Sequence, residues 1–416
     1  MTSPMIQKDI VTACKMEIIK AIIKELNGDY FALLVDESFN VSQKEQMAIV
    51  LQYVDRMGFV VERLVDIVHV KDTCASSLKK AIIDLLAKYS LSLSYVRGQC
   101  YDGASNMQVE LNGHKMLIRK ENRSSHSIHC FAYQLQLTLV AVSKKYIQVG
   151  ELVVLVSNIL NVLGSSFKRM DEFRESQKER IEEALDMGEL KTGRGLNQEL
   201  GLSRACDTRW GSHYKSFKKF ILMFGSILDV LEAFVVDARL MDDEQDIANA
   251  MLLVEVANRR LQSLREDDWD LLIEKQIQEL NGHFDEVTTN LLHGVACLNP
   301  IDSFSSFDIK MAKLYPDDFD EVNMGALENQ LATYIIDIRD IDERFSNLNG
   351  LCDLSRKLVQ TKKNLNFPLV FCSVKFALLL PVATASIERA FSAMEFIKND
   401  MRNRMNDELL SGCLVP

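Results

Sequence analysis

The chain reads as an α/β protein in which a mixed sheet of about five strands is layered with helices and interrupted by a long all-α region. Three observations predict this. The β-branched runs FALLVDES, MAIVLQYVD and VVERLVDIVHV follow one another between residues 31 and 70 with only short polar or Gly-containing stretches between them, as consecutive antiparallel strands do. Strand-like and helix-like segments then alternate to about residue 145, and from about 146 to 370 almost every periodic segment is helical. The whole is therefore helix-rich, with an α/β layer at its core.

Taken in order, the second run is apolar on both faces, which suits a strand covered on both sides. In DTCASSLKKAIIDLLAKYS, Leu78, Ala81, Ile82, Leu85 and Leu86 fall on one helical face, and Asp72 or Thr73 stands where a cap is needed. YVRGQCYDG, NMQVELNGHKMLIRKEN, SIHCFA and YQLQLTLVAVSKKY then read as strand, helix, strand and helix. Helical periodicity continues in ELVVLVSNILNVLG, YKSFKKFILMFGSILDVLEAFVVDARL, DIANAMLLVEVANRRLQSL and GALENQLATYIIDIRDIDERFSNLN. EALDMGELKTGRGLNQELG and IDSFSSFDIKMAKLYPDDFDE are the expected exposed loops. After PVATA a last helix begins, with Ile387, Ala390, Phe391, Met394 and Ile397 as a narrow apolar stripe and Thr384 as its cap behind Pro381. The expected division is a first core segment, 1–145, an all-α insertion, 146–370, and a last core segment, 371–416.

Bulk properties exclude several classes. At 416 residues and 47% hydrophobic content the chain has ample material for packed cores. A net charge of -11 and pI near 5.3 argue against a surface basic all over, so nucleic acid would have to meet local patches or a separate module. Nine cysteines are scattered without a CxxC pair, and the seven histidines form no ligand spacing. The cysteines read as reduced core thiols of an intracellular protein. The N-terminus lacks a secretory pattern, and the most apolar runs fall short of the roughly 20 residues of a membrane span. A soluble protein, cytosolic or nuclear, is expected.

Three carboxylates stand out by position. Asp36 ends the first strand, Asp102 ends the fourth in QCYDGASN, and Glu388 lies in the first turns of the last helix in TASIERAFS. Each has a plain explanation: Asp36 marks a strand end, Asp102-Gly103 is a turn pair, and a carboxylate near a helix N-terminus is favoured by the dipole. Together they suggest more. If strands one and four lie side by side, as in an RNase H-like sheet, Asp36 and Asp102 meet at one end of it. Two close carboxylates repel unless a cation sits between them, and Mg²⁺ held by acids and phosphate oxygens resolves this. A third acid on a crossing helix completes a site for two ions. The separation of 286 positions from Asp102 to Glu388 fits such a site only if the all-α region is an insertion.

VDES, RGQCYDGASNMQ, IHCFAYQLQLTLVAV, DTRWGSHY and VATASIERAFSAMEFIKNDMRNRMND, in that order, resemble the hAT superfamily of cut-and-paste DNA transposases, in the branch related to MYM-type zinc-finger proteins. The resemblance implies an RNase H-like core interrupted by a helical insertion, with Asp36, Asp102 and Glu388 as a DDE triad using Mg²⁺ or Mn²⁺. It implies that Arg209 and Trp210 match the RW pair near the DNA-end hairpin, and that the last segment serves dimerisation. DNA ends and a second copy of the chain are then the partners, with no membrane and no small-molecule cofactor, and the nucleus is the location. The sequence departs from the family at Tyr133, which stands in the histidine position of the Cys-x-x-His motif begun by Cys130, and at Val109, where relatives carry glycine. A phenol does not replace imidazole as a proton carrier near neutrality. Set against the resemblance, which implies a zinc module ahead of the core and a longer tail, the expectation is a partial copy.

Basic clusters occur at Arg119, Lys120 and Arg123, at Lys362 and Lys363, and at Lys398, Arg402 and Arg404. They read either as solvated helix faces or, for the last, as phosphate contacts beside the metals. The reading of function is a hAT-type transposase-derived protein performing metal-dependent DNA strand cleavage and transfer. The alternatives are a catalytically silent interaction protein that keeps fold and dimer surface, and a nuclease using the same acids.

Overall fold

A computed structural model describes residues 3–72, 74–101, 114–145, 147–188, 210–240, 269–282, 286–302, 304, 306–399, 402–403 and 405–415. The chain forms two compact units, one made of Met1–Tyr133 together with Phe284–Pro416, the other of the continuous stretch Gln134–His283. The first unit is thus discontinuous in sequence, and the second interrupts it.

The first unit is built on one five-stranded sheet: β1 Phe31–Phe39, β2 Glu45–Val54, β3 Val60–His69, β4 Val96–Tyr101 and β5 His126–His129, in the order β3-β2-β1-β4-β5. β1, β2 and β3 are an antiparallel meander, whereas β4 joins β1, and β5 joins β4, in parallel. The mixed sheet expected from the sequence is present, and strands one and four are neighbours. The β2–β3 turn is set locally. Asp55 accepts hydrogen bonds from the amides of Met57 and Phe59, both at 2.8 Å, and Gly58 takes a φ of +86° that an L side chain would resist.

The helices, in chain order, are α1 Pro4–Leu26, α2 Ala75–Lys88, α3 His114–Glu121, α4 Phe131–Lys145, α5 Ile147–Gly164, α6 Phe167–Asp186, α7 Trp210–Leu222, α8 Phe224–Leu240, α9 Trp269–Gly282, α10 Glu286–Ala296, α11 Glu321–Ile335, α12 Leu351–Gln360, α13 Pro368–Leu378, α14 Ala385–Ile397 and α15 Asp407–Leu414. Short helical turns lie between some of them. α1 stands ahead of the first strand without any announcement in the strand pattern. Pro4 opens it, and the hydroxyl of Ser3 accepts from the amide of Met5 at 3.2 Å.

Alternation along the strands gives the sheet two faces. On one, Phe31, Leu33 and Val35 of β1 and Met47, Ile49, Leu51 and Tyr53 of β2 pack with Ile19, Ile22 and Leu26 of α1 and with Leu78, Ile82, Leu85 and Leu86 of α2. These α2 residues are the stripe that periodicity predicts. Its cap differs: Asp72 accepts from the amide of Cys74 at 2.9 Å and from the hydroxyl of Ser77 at 3.0 Å, while Cys74 is the capping residue.

The other face is shared by two clusters. Ala32, Val54 and Ile128 join a cluster formed by α10 to α13 and the turns between them, including Phe304, Phe307, Met311, Tyr315 and Phe319. Leu34, Ala48, Val50, Ile67 and Cys100 join Ile387, Ala390, Phe391 and Met394 of α14. β2 is accordingly buried on both faces along nearly its whole length. Burying each such side chain contributes about 1.5–3 kcal/mol.

Two expectations change here. The segment 301–321, expected as an exposed loop, is anchored in the core by those five side chains. The aromatic residues lie among Ser, Asp and Pro, so neither helix nor strand period reveals them. The units also divide the chain at 133 and 284, not at 146 and 370. α10 to α13 are helical, as the sequence indicates, but their apolar faces are buried with sheet residues, and periodicity does not report what a helix packs against.

Gly98 explains how the chain passes from one cluster to the other. A Cβ at this β4 position would lie 1.9 Å from the carbonyl oxygen of Leu379 and 3.0 Å from Pro381. The connector from α13 to α14 therefore runs directly over a strand position that only glycine permits. The amide of Phe131 donates to the carbonyl of Val382 at 2.9 Å and pins the same connector to the start of α4.

In the second unit, Leu155, Val156, Ile159, Leu160 and Leu163 of α5 pack with Phe173 of α6 and with Phe220, Ile227, Val230 and Leu231 of α7 and α8. The expected loop that begins EALDMG is helical through Asp186, and the rest of it from 189 lies outside the described residues.

Candidate functional site

β1 runs on to Phe39, so Asp36 does not end the strand as the sequence suggests but lies within it, where the apolar run stops. Its residues Phe31 to Val35 are fully enclosed, and Asp36 is the first position at which enclosure relaxes. A carboxylate one residue earlier would be desolvated at a cost of several kcal/mol. Asp36 pairs with Ala48 of β2, and its Oδ1 accepts from the amide of Glu37 at 2.8 Å. By alternation it belongs to the face of Leu34, the face on which α14 packs.

The β1–β4 ladder pairs Leu34 with Cys100, and β4 pairs Cys100 with Ile128 and Tyr101 with His129. Asp102 follows directly and lies outside the described residues, as does Val109.

Glu388 is in the first turn of α14 and exposed. The helix is set by the predicted stripe, with Ile387 and Met394 fully buried against Leu34, Ala48, Val50 and Ile67. Ser386 beside it donates a hydrogen bond to Glu62 of β3, and Arg389 donates to the Ser386 hydroxyl at 3.0 Å. The structure thus brings the strand of Asp36 and the helix of Glu388 together on one face. Among the described residues no group of three His, Cys, Asp or Glu side chains converges on a common point; Asp102 is not among them.

On this face, packed into the α14 cluster, lie two thiols. Cys100 and Cys130 are both buried and hydrogen-bonded to each other, and the hydroxyl of Thr384 donates to Cys130 at 3.6 Å. Thr384 is the capping residue of α14, as the sequence predicts, but makes no side-chain cap because its hydroxyl is turned to this sulfur. The bond to Cys130, with burial, raises the Cys100 thiol well above its ordinary range, and the charges of Glu62 and Asp36 push the same way. Cys130, as the acceptor in that bond, is lowered against the effect of burial, helped by Thr384 and the amide of Tyr133. Tyr133 is half-buried in the α14 cluster with its ring 5.7 Å from that of His129.

The basic residues diverge. Lys398 is buried, with its ammonium 4.0 Å from Asp407, so it faces α15 and leaves no open side for a phosphate. Lys363 is likewise buried, bonded to Asp337 and 3.1 Å from Asp342. Arg402 is exposed. Arg404 and Arg209 lie outside the described residues, and Trp210, the first residue of α7, belongs to the second unit.

Sequence reasoning missed Glu62 and the thiol pair. Glu62 looks like one more polar position in an edge strand, and two cysteines 30 positions apart carry no spacing signal.

Residues 1–113 match the family model DUF4371, described as the ZMYM1/FAM200 RNase-like domain. This stretch, which holds α1, β1 to β4 and α2, is similar to a transposase-related RNase-like domain. Among the described residues no helix is long and apolar enough to cross a membrane.

Proposed function

We propose that the chain is a hAT-type transposase-derived protein whose site is formed by Asp36, Asp102 and Glu388. The observation that carries this reading is the parallel pairing of β1 with β4 on the face covered by α14. Continued two residues past Leu34 and Cys100, that ladder would set position 102 beside Asp36. The similarity of residues 1–113 to an RNase-like domain supports the same reading.

The three carboxylates are hard oxygen donors and suit Mg²⁺ or Mn²⁺, whereas the thiols Cys100 and Cys130 are packed into the apolar α14 cluster. When bound, such ions supply Lewis-acid activation of the attacking oxygen and stabilise the leaving one in phosphodiester cleavage. The residues of the chain position the donors: β1 holds Asp36 by its ladder, and α14 holds Glu388 by its buried stripe. Arg209, Trp210, Arg402 and Arg404 are proposed to contact DNA, and association of two copies through the last segment is part of the proposal, as is nuclear location. Incubation of the protein with terminal-inverted-repeat DNA and Mn²⁺ tests it: cleavage or hairpin product from the wild type, absent with Asp36→Asn, supports the reading, and no product from the wild type contradicts the catalytic part.

A second reading, a catalytically silent protein that retains fold and association, is favoured by Tyr133, which is packed into the apolar cluster where a proton carrier would stand. Tyr133→His separates the two. Gain of cleavage would mark this position as the lesion, and self-association without cleavage in either protein would favour the silent reading.

A further inference from the structure

We propose that Cys100 and Cys130 form a redox-modification site that closes to a disulfide under peroxide and reopens under thiol reductants. The ladder sets them up. Cys100 pairs with Ile128, two residues before Cys130, and the amide of Cys130 donates to the carbonyl of Tyr101 at 3.3 Å. Cys100 on β4 and Cys130 just past the end of β5 therefore lie on one face of neighbouring parallel strands, a single pleat apart, and both pack into the same cluster. Both are packed into the α14 cluster, while Cys14, Cys74 and Cys352 are exposed.

The chemistry balances with the peroxide as oxidant. Its O–O bond breaks as one thiol sulfur takes a hydroxyl, giving a sulfenic acid and water. The second sulfur then displaces that hydroxyl as a second water and the S–S bond forms, so two thiols give up two hydrogens and the peroxide is reduced to water. A small neutral oxidant reaches the pair through local opening of the strand ends. Closure would strap β4 to the β5–α4 junction and alter the sulfur that now accepts the Thr384 hydroxyl at the start of α14. This inference concerns the thiols alone and stands apart from the carboxylate reading.

The test is peptide mapping of the folded full chain after hydrogen peroxide, with free thiols then alkylated in denaturant. The expected result is loss of the two alkylatable thiols Cys100 and Cys130 and a linked peptide pair carrying both, reversed by dithiothreitol and absent from Cys130→Ser and Cys100→Ser. The wild-type map alone decides the matter if either variant fails to fold. The proposal is overturned if Cys100 and Cys130 remain fully alkylatable at peroxide doses that oxidise Cys14 and Cys74, or if they are oxidised without becoming linked to each other.

Discussion

Asp66 and Asp36 are both acids within apolar strands of one sheet, and their surroundings could hardly differ more. Asp66 on β3 is buried and bonded at 2.7 Å to the ammonium of Lys15 from α1, which also donates to Ser411 of α15 at 2.7 Å. Ser411 donates to Asp66 in turn, the Tyr89 hydroxyl lies at 3.4 Å, and Lys88 at the end of α2 at 3.7 Å. One carboxylate thus ties three helices to the edge strand. Asp36 sits inside β1, three residues before its end, at the position where enclosure relaxes, half-buried, with its Oδ1 on the amide of Glu37. An acid enclosed in the core needs its counter-ion beside it, whereas one that solvent still reaches does not.

The largest test of that contrast is Asp66→Ala, which leaves Lys15 buried without its partner. A loss of about 3–5 kcal/mol is expected in urea unfolding, and the pair Lys15→Met with Asp66→Leu should recover most of it. Next, Met394→Ala removes a fully buried side chain from the seam between α14 and the sheet and should cost about 2–5 kcal/mol. A much smaller loss would mean that α14 is not held by its stripe.

The acids also differ in how far the sequence announces them. The β2 run, the α2 stripe and the α14 stripe are legible because each repeats a local period. So is the position of Asp36, since apolar text stops there. The Lys15–Asp66–Ser411 node is not, because its members lie 51 and 345 residues apart and α1 carries apolar residues on several sides. Lys398 shows the same limit from the other direction. It reads as part of a basic surface run, yet it is enclosed because α15 returns to place Asp407 beside it. For the candidate site, local pattern yields the individual acids, and only long-range pairing determines which strands and helices share a face.

A third test uses pH. His126 on β5 is buried, with Nε2 2.7 Å from the carbonyl of Leu314, and burial holds its pKa below the ordinary value. The unfolded chain then takes up this proton first as pH falls. The contribution is fully present above about pH 6.5 and is lost below it, at up to about 1.4 kcal/mol per pH unit. Urea midpoints between pH 7.5 and 5 should show the slope, and His126→Gln should flatten it. The smallest effect is expected at Asp36 itself: Asp36→Asn should shift stability by no more than about 0.5 kcal/mol, and a loss as large as that of Asp66→Ala would mean that Asp36 is architectural as well.

The central claim is that positions 36, 102 and 388 share divalent ions, and calorimetric titration of Mn²⁺ into the folded protein tests it most directly. Binding by the wild type, with loss of binding in Asp36→Asn, Asp102→Asn and Glu388→Gln at unchanged stability, is the expected result. Wild-type protein that takes up no Mn²⁺, or variants that bind it as well as the wild type does, would contradict the account.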